Sequence, residues 1–318
     1  MPTETGERRR ELLAFWGYRL AERVIGILPR RLVLAAAAAV GNAAYDASPT
    51  KREVVRANLA HALGVDPGDP RVRRAARGAF RNYARYLADL MRLTTLRDDQ
   101  VDQLVVVQDL DSLRAAQADG HGVLLCTVHV GGMDLLAPAL HAHGEEMHVV
   151  ADDTTYGRLY EHLKAVRARF GVTLIGWRNL RALIRALRAG ENLVLFVDGG
   201  YRRGDVPVEF LGEATTFPPG PATLAARSGA PMLPVTASRG RDDRFQAGGL
   251  PLIRPEGGEP AAIWRSTQQL ADALGSVIAA DPAQWYMFRP IWPRTDAERA
   301  EARDALEAAR RGDDWAHR

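Results

Sequence analysis

The sequence predicts an α/β fold, with a central mixed sheet flanked by helices and a helical region before it. Residues 10–95 repeat apolar side chains at spacings of three and four, which indicates helices. From about residue 100, short β-rich runs such as "GVLLCTVH" and "NLVLFVD" alternate with helical stretches such as "LRALIRALRAG". Apolar residues make up 47% of the 318 residues, which is enough for a sizeable core.

These changes of pattern divide the chain into three predicted regions. Residues 1–95 form a helical extension that associates with a membrane, and residues 96–295 form the α/β core. Residues 296–318 form a charged tail, which we expect to fray or to make a solvated helix.

The N-terminal apolar residues do not predict a membrane span. Arg19, Glu22 and Arg23 interrupt the first apolar stretch, and the second, residues 32–44, is shorter than the roughly 20 residues a span requires. Aromatic, aliphatic and arginine side chains instead alternate as in an amphipathic helix. Such a helix can lie in a membrane interface or pack on its own domain, and the pattern leaves both interpretations open.

Composition argues against several classes of function. The net charge is +3 and the basic residues are spread along the chain, so we expect no nucleic-acid partner, whereas a membrane surface or a phosphorylated substrate fits. The single cysteine excludes an internal disulfide and a cysteine-based zinc site. The histidines lack the spacing of a metal site, and no P-loop or G-x-G-x-x-G motif occurs, so we expect neither a metal nor a cofactor.

The segment "LLCTVHVGGMD" combines a strand with polar residues at its end. The strand ends at His129, Gly131 and Gly132 allow close approach of a backbone or a ligand, and Asp134 falls in the first turn of the next helix. An aspartate within reach of a histidine can fix its tautomer and leave the other ring nitrogen free as a base. A histidine satisfied within the core is the alternative interpretation.

Two further segments are candidate parts of a site. Asp198 follows the strand "NLVLFV" and is either a second partner for His129 or a turn-forming Asp-Gly. In "FPPGPATLA", Gly220 and Pro221 begin a helix whose free amides could hold an anion or a developing oxyanion. Because no G-x-S-x-G elbow occurs, this set favours direct activation of a substrate hydroxyl over an esterase mechanism.

The segments "HVGGMD", "LVLFVDGGYRRGDVPVEFLGEATTFPPGPATLAARSGAPMLPV" and "DPAQWYMFRPIW" together resemble the bacterial lipid A biosynthesis acyltransferases. Within that family the chain is most similar to the actinobacterial phosphatidylinositol mannoside branch, and the resemblance covers almost everything except the charged tail. It implies a glycerolipid-acyltransferase-like fold held peripherally on the cytoplasmic face of the cell membrane. It also implies transfer of a fatty acyl chain from acyl-CoA or acyl-carrier protein to a sugar hydroxyl of a glycolipid, with acyl-CoA as co-substrate.

The resemblance also implies roles for residues. His129 matches the catalytic histidine, Asp134 matches the acid of the family motif, and Asp198 occupies the position of a later acid that partners the histidine. Arg167 matches a basic residue on the substrate side. The segment "FPPGP" falls where the acyl-donor and oxyanion-side loop is expected.

Three departures from the family pattern concern the acceptor. Gly132 and Met133 replace an aromatic residue before the motif acid, "DGG" follows the second acid instead of a charged pair, and "ADDTT" replaces a basic stretch. The acceptor is therefore either a phosphatidylinositol mannoside or another (lyso)phospholipid or glycolipid. A catalytically inactive lipid-binding homologue is the remaining alternative.

Overall fold

Helices occupy the first third of the chain and alternate with strands afterwards, as the sequence predicts. The computed structural model describes residues 4–151, 157–313 and 315. Its helices are α1 (Glu4–Ile27), α2 (Arg30–Ala47), α3 (Pro49–Leu63), α4 (Pro70–Arg92), α5 (Asp98–Leu104), α6 (Leu110–Ala116), α7 (Met133–Ala142), α8 (Arg158–Ala168), α9 (Leu180–Arg188), α10 (Gly220–Ser228), α11 (Pro260–Ala280) and α12 (Asp296–Arg311). Its strands are β1 (Val105–Val107), β2 (Leu124–Thr127), β3 (Met147–Ala151), β4 (Val172–Gly176), β5 (Asn192–Phe196), β6 (Val206–Phe210), β7 (Glu213–Phe217), β8 (Met232–Arg239) and β9 (Phe245–Gly249).

Seven of the strands form one mixed sheet in the order β1-β9-β8-β2-β5-β3-β4. Neighbouring strands are parallel except for the antiparallel pair β8 and β9, so the predicted α/β class with a mixed sheet is confirmed. Strands β6 and β7 form a separate antiparallel hairpin. Sequence reasoning missed β9, because "FQAGG" is rich in glycine and lacks β-branched side chains.

Strand β2 lies near the centre of the sheet and explains the apolar run before His129. All four of its residues are buried, as is typical of a parallel strand covered on both faces. Its cysteine, Cys126, is fully buried, and burial raises the pKa of the thiol to about 12. Cys126 is therefore a small core side chain with an unreactive thiol.

The N-terminal helices are tied to the sheet by a buried ion-pair network. Asp89 of α4 is fully buried; its carboxylate accepts two hydrogen bonds from Arg30 of α2, at 2.8 and 3.0 Å, and one from Arg239 of β8, at 2.7 Å. Removing one partner of such a network typically costs about 3–5 kcal/mol, because the remaining charge stays buried. The network therefore fixes α4 against the sheet.

Residues 282–292, here named the strap, cross the end of β2. A short 3₁₀ helix, Pro282–Gln284, begins the strap, and Trp285 forms an isolated antiparallel bridge with Val130. Asn58 of α3 donates from its side-chain amide to the carbonyls of Met287 and Arg289, at 3.0 and 2.8 Å. Helix α3 therefore holds the strap in place over the strand ends.

The charged tail forms a helix, which is one of the two expectations, and one face of this helix is buried. Thr295 caps α12, with Glu298 completing a capping box, and the helix buries one face that includes Leu306. Trp315 is also buried and donates from its indole nitrogen to the carbonyl of Pro260, at 3.2 Å. The apolar positions of the tail, although few, lie on one helical face, which explains why this helix packs against the rest of the protein on that side.

Among the described residues, no helix is both long enough and apolar enough to cross a membrane.

Candidate active site

Two neighbouring parallel strands bring the predicted histidine and the later acid together. Strands β2 and β5 pair with Thr127 opposite Phe196. Both strands end at this pair, and His129 and Asp198 each follow two residues later. The sequence predicted both strand ends; their adjacency follows from the strand order, in which β5 lies beside β2.

Asp198 is a buried carboxylate whose hydrogen bonds fix the His129 ring. One carboxylate oxygen lies 2.7 Å from Nδ1 of His129, and the other accepts from the His129 amide at 2.9 Å and from the Trp285 indole nitrogen at 3.0 Å. Asp198 is only 1% exposed. Burial by itself would raise the pKa of Asp198, but the charge and hydrogen bonds of His129, helped by Trp285, lower it. Asp198 is therefore ionised at neutral pH.

The His129 ring has one buried edge and one open edge. It packs against Phe196 with ring centroids 4.5 Å apart, yet its side chain is 49% exposed. Burial lowers the pKa of His129, and the charge and hydrogen bond of Asp198, with a contribution from Asp134, outweigh it, so the pKa is raised above 6.5. Because Asp198 occupies Nδ1, Nε2 is the ring nitrogen available to a substrate.

Asp134, the acid of the His-x4-Asp pattern, pairs with other residues. It lies in the first turn of α7, where one carboxylate oxygen accepts from Arg167 of α8 at 2.8 Å and the other from the hydroxyl of Tyr86 of α4. Burial raises the pKa of Asp134, but the charge of Arg167 and these hydrogen bonds lower it below its usual value. Of the two acids considered from sequence, the structure brings Asp198, not Asp134, into hydrogen-bond contact with His129.

Sequence reasoning missed the contact of Tyr86 with Asp134 and the contact of Trp285 with Asp198. Burial and the nearby Asp134 carboxylate raise the pKa of Tyr86 well above 10, so its hydroxyl stays protonated and can donate. Two tyrosines three residues apart, Tyr83 and Tyr86, stand out on a helix otherwise rich in arginine and alanine, and this was the available signal. Trp285 lies in a segment already singled out, but nothing in the sequence indicates its contact with Asp198.

An apolar cavity of about 490 Å³ opens beside these groups. Its polar lining among the described residues comes mainly from His129, Asp134, Arg167 and the tyrosines. The remaining lining residues are mostly aliphatic or aromatic, namely Met133, Val149, Val150, Leu159, Leu163, Leu174 and Phe196, with Gly131. A largely apolar pocket with a few polar groups at one place can hold an acyl chain and orient its reacting end.

Gly131 and Gly132 are required by packing within the fold. Gly131 has φ 63°, and a Cβ there would lie 1.9 Å from the carbonyl oxygen of Ala237. A Cβ on Gly132 would lie 2.5 Å from the Phe245 ring. Their amides donate to the carbonyls of Gln284 and Ala237, at 3.0 and 2.7 Å. The groups that approach these glycines closely are therefore the Ala237 carbonyl and the Phe245 ring of the protein itself. Gly131 also lines the cavity.

Of the other predicted site residues, one lines the cavity and two do not. Arg167 lines the cavity, as described above, whereas the described lining residues do not include Gly220 or Pro221. These two begin α10, and Pro221 is buried. Their role in donor or oxyanion binding therefore stays a prediction. Of the "ADDTT" stretch, residues 152–155 lie outside the described residues.

Most of the chain is similar in sequence to known proteins of one family. Residues 6–294 match the family described as Bacterial lipid A biosynthesis acyltransferase. A phosphatidylinositol mannoside acyltransferase of Mycobacterium tuberculosis is 32% identical over 301 residues, covering 91% of this chain and 92% of that protein. A phosphatidylinositol mannoside acyltransferase of Mycolicibacterium smegmatis is 30% identical over 281 residues, covering 87% and 90%.

Proposed function

The chain belongs to the bacterial lipid A biosynthesis acyltransferase family and is therefore an acyltransferase, and we propose that it acylates a sugar hydroxyl of a phosphatidylinositol mannoside. The acyl donor in this proposal is acyl-CoA or acyl-carrier protein. The observation that carries the proposal is the His129–Asp198 pair: Asp198 holds Nδ1 of an imidazole that lines an apolar cavity.

The proposed reaction begins at His129. Nε2 removes the proton of the acceptor hydroxyl, and the oxygen forms a bond to the thioester carbonyl carbon. The tetrahedral intermediate collapses by breaking the carbon–sulfur bond, and the imidazolium returns its proton to the departing thiolate. Asp198 stabilises the imidazolium throughout, since its carboxylate lies 2.7 Å from Nδ1.

Arg167 is our proposed partner for the negative charge of the intermediate. Its guanidinium has five N–H donors, and the bond to Asp134 at 2.8 Å orients the group at the cavity wall. The amides of Gly131 and Gly132 are a poorer choice, because both already donate to carbonyls within the fold. A preorganised donor of this kind is typically worth about 10²–10³ in turnover.

The acceptor is inferred from the relatives. Both of the similar mycobacterial proteins are described as phosphatidylinositol mannoside acyltransferases, and they match about nine-tenths of the chain. The apolar side chains of the cavity wall support an acyl chain as the other ligand.

We further propose that the protein binds peripherally to the cytoplasmic face of the membrane through α1. Large apolar side chains stand exposed along this helix at spacings of three and four residues, which places them on one face. They are Leu13, Trp16, Leu20, Val24 and Ile27. Exposed arginines flank this face, as expected for a helix lying in an anionic interface.

The direct test offers the purified protein palmitoyl-CoA with phosphatidylinositol mannoside, phosphatidylinositol or a lysophospholipid, and measures acylated lipid and released CoA. We expect transfer to the mannoside, and His129→Ala should reduce it by about 10²–10⁴-fold without loss of the folded state. Transfer only to another lipid would replace the acceptor. Hydrolysis without an acceptor would indicate an esterase, and lipid binding without turnover an inactive homologue.

A further inference from the structure

Helix α8 forms a wall between two cavities. One face, with Leu163 and Arg167, lines the acyl cavity described above. The adjacent face, with His162 and Val166, lines a second cavity of about 590 Å³ together with Arg169, which directly follows the helix. This cavity lies between α1, α8 and the residues after α4; we name it the α1–α8 groove. A ligand in this groove lies within roughly one helix diameter, about 10 Å, of the catalytic cavity.

The groove contains uncompensated positive charge. Arg19 is paired with Glu22 at 3.0 Å, and His162 also contacts Glu22, at 2.7 Å. Among the described residues, no acidic side chain pairs with Arg23. Arg169 donates to the backbone carbonyls of Thr94 and Leu96, which leaves its charge without a carboxylate partner. Two guanidinium groups therefore remain to attract an anion.

The groove also has an apolar rim that continues into the exposed face of α1. Trp16 and Leu20 line it, and they are 61% and 65% exposed. An inorganic anion would make no use of such side chains. A molecule with a negatively charged headgroup and a hydrocarbon part uses both the guanidinium groups and the rim.

We propose that the α1–α8 groove binds one anionic phospholipid of the membrane surface, with its phosphate at Arg23 and Arg169 and its acyl chains along Trp16 and Leu20. The inference goes beyond the acyl-transfer reaction, because this lipid is neither donor nor acceptor. It gives the enzyme a single bound lipid on the face of α8 adjacent to the one that carries Arg167.

Native mass spectrometry of the full chain tests the proposal, with dioctanoyl phosphatidylglycerol and dioctanoyl phosphatidylcholine as probes. We expect one phosphatidylglycerol to be retained per chain in preference to phosphatidylcholine. Arg23→Gln should weaken its retention about fivefold, since one cation near an anionic lipid is lost. Ala165→Trp, which fills the groove without changing its charge, should abolish retention.

Matched controls separate this site from general surface attraction. Arg74→Gln removes an exposed cation about 30 Å away, judged by the length of helix α4, and Ala168→Trp adds the same bulk on α8 outside the groove. Both should retain the lipid, and thermal unfolding should show that all four variants are folded. Equal retention of the two lipids, undiminished retention by Ala165→Trp, or displacement by an equal concentration of inorganic phosphate would overturn the proposal. Because the readout is binding, it is independent of whether the acyl acceptor is a mannoside.

Discussion

Asp198 and Asp134 both lie beside His129, but different kinds of structure hold them. Asp198 stands at the end of a central strand, and its partners are the neighbouring strand end and the strap. Asp134 lies in the first turn of helix α7, and its partners come from two other helices, α4 and α8. Helix α8 has no buried residue, whereas β2 is buried throughout.

This difference suggests a division of tasks within the site. Proton transfer requires a fixed distance between the acid and the imidazole, and the hydrogen-bonded sheet supplies it. Binding a long acyl chain requires a wall that can adjust, and a helix without fully buried side chains suits that task. We therefore expect Asp198 to govern proton transfer at His129, and Asp134 to position Arg167 beside the intermediate.

Asp198→Asn should lower turnover more than Asp134→Asn does. The amide removes the negative charge that stabilises the imidazolium, so kcat should fall about 10²–10⁴-fold. The KM for acyl-CoA should change little, because Asp198 is buried behind the ring and does not line the cavity. Steady-state kinetics measure both constants, and a kcat within tenfold of wild type would refute the assignment.

Asp134→Asn should lower turnover less than Asp198→Asn does. It frees Arg167 from a charge-assisted bond but leaves the guanidinium at the cavity wall, so we expect kcat to fall about tenfold with little change in KM. Arg167→Gln tests the same pair from the other side. If Asp134 acts only by orienting Arg167, the double variant should be little worse than Arg167→Gln alone. Fully multiplicative losses would show that the pair does not act as a unit.

Tyr86→Phe should have the smallest effect. The ring keeps its stacking on Tyr286, with centroids 5.6 Å apart, and only the hydroxyl bonded to Asp134 is lost. We expect a destabilisation of about 1 kcal/mol and a few-fold loss of kcat/KM, measured by urea unfolding and by kinetics. A loss as large as that of Asp198→Asn would contradict the division of tasks.

Sequence reasoning identified the parts of the site that local patterns encode. The alternating apolar runs predicted the α/β class, and the strand ends identified His129 and Asp198. The same pattern also predicted Asp134 as a partner of His129, because an acid five residues after a histidine can reach its imidazole. It could not tell which acid contacts the imidazole, since that depends on β5 lying beside β2 in the sheet.

The contacts that sequence reasoning missed are long-range ones. Tyr86 reaches Asp134 across 48 residues, and Trp285 reaches Asp198 across 87. Such pairs arise from the packing of α4 and of the strap, and no local spacing records them. The glycines illustrate the same point: Gly131 indicated close approach, but only the fold reveals that the approaching group is the Ala237 carbonyl.

The most direct test of the central claim is an NMR titration of His129 in the wild type, Asp198→Asn and Asp134→Asn. A nearby carboxylate favours the imidazolium, so the pKa of His129 should lie above 6.5 in the wild type. In Asp198→Asn burial then dominates, and the pKa should fall below 6.5; in Asp134→Asn it should stay above 6.5. The lower limb of the pH–activity profile should shift in the same direction, because turnover requires the neutral ring. A larger fall in Asp134→Asn than in Asp198→Asn would contradict the claim that Asp198 orients the catalytic base.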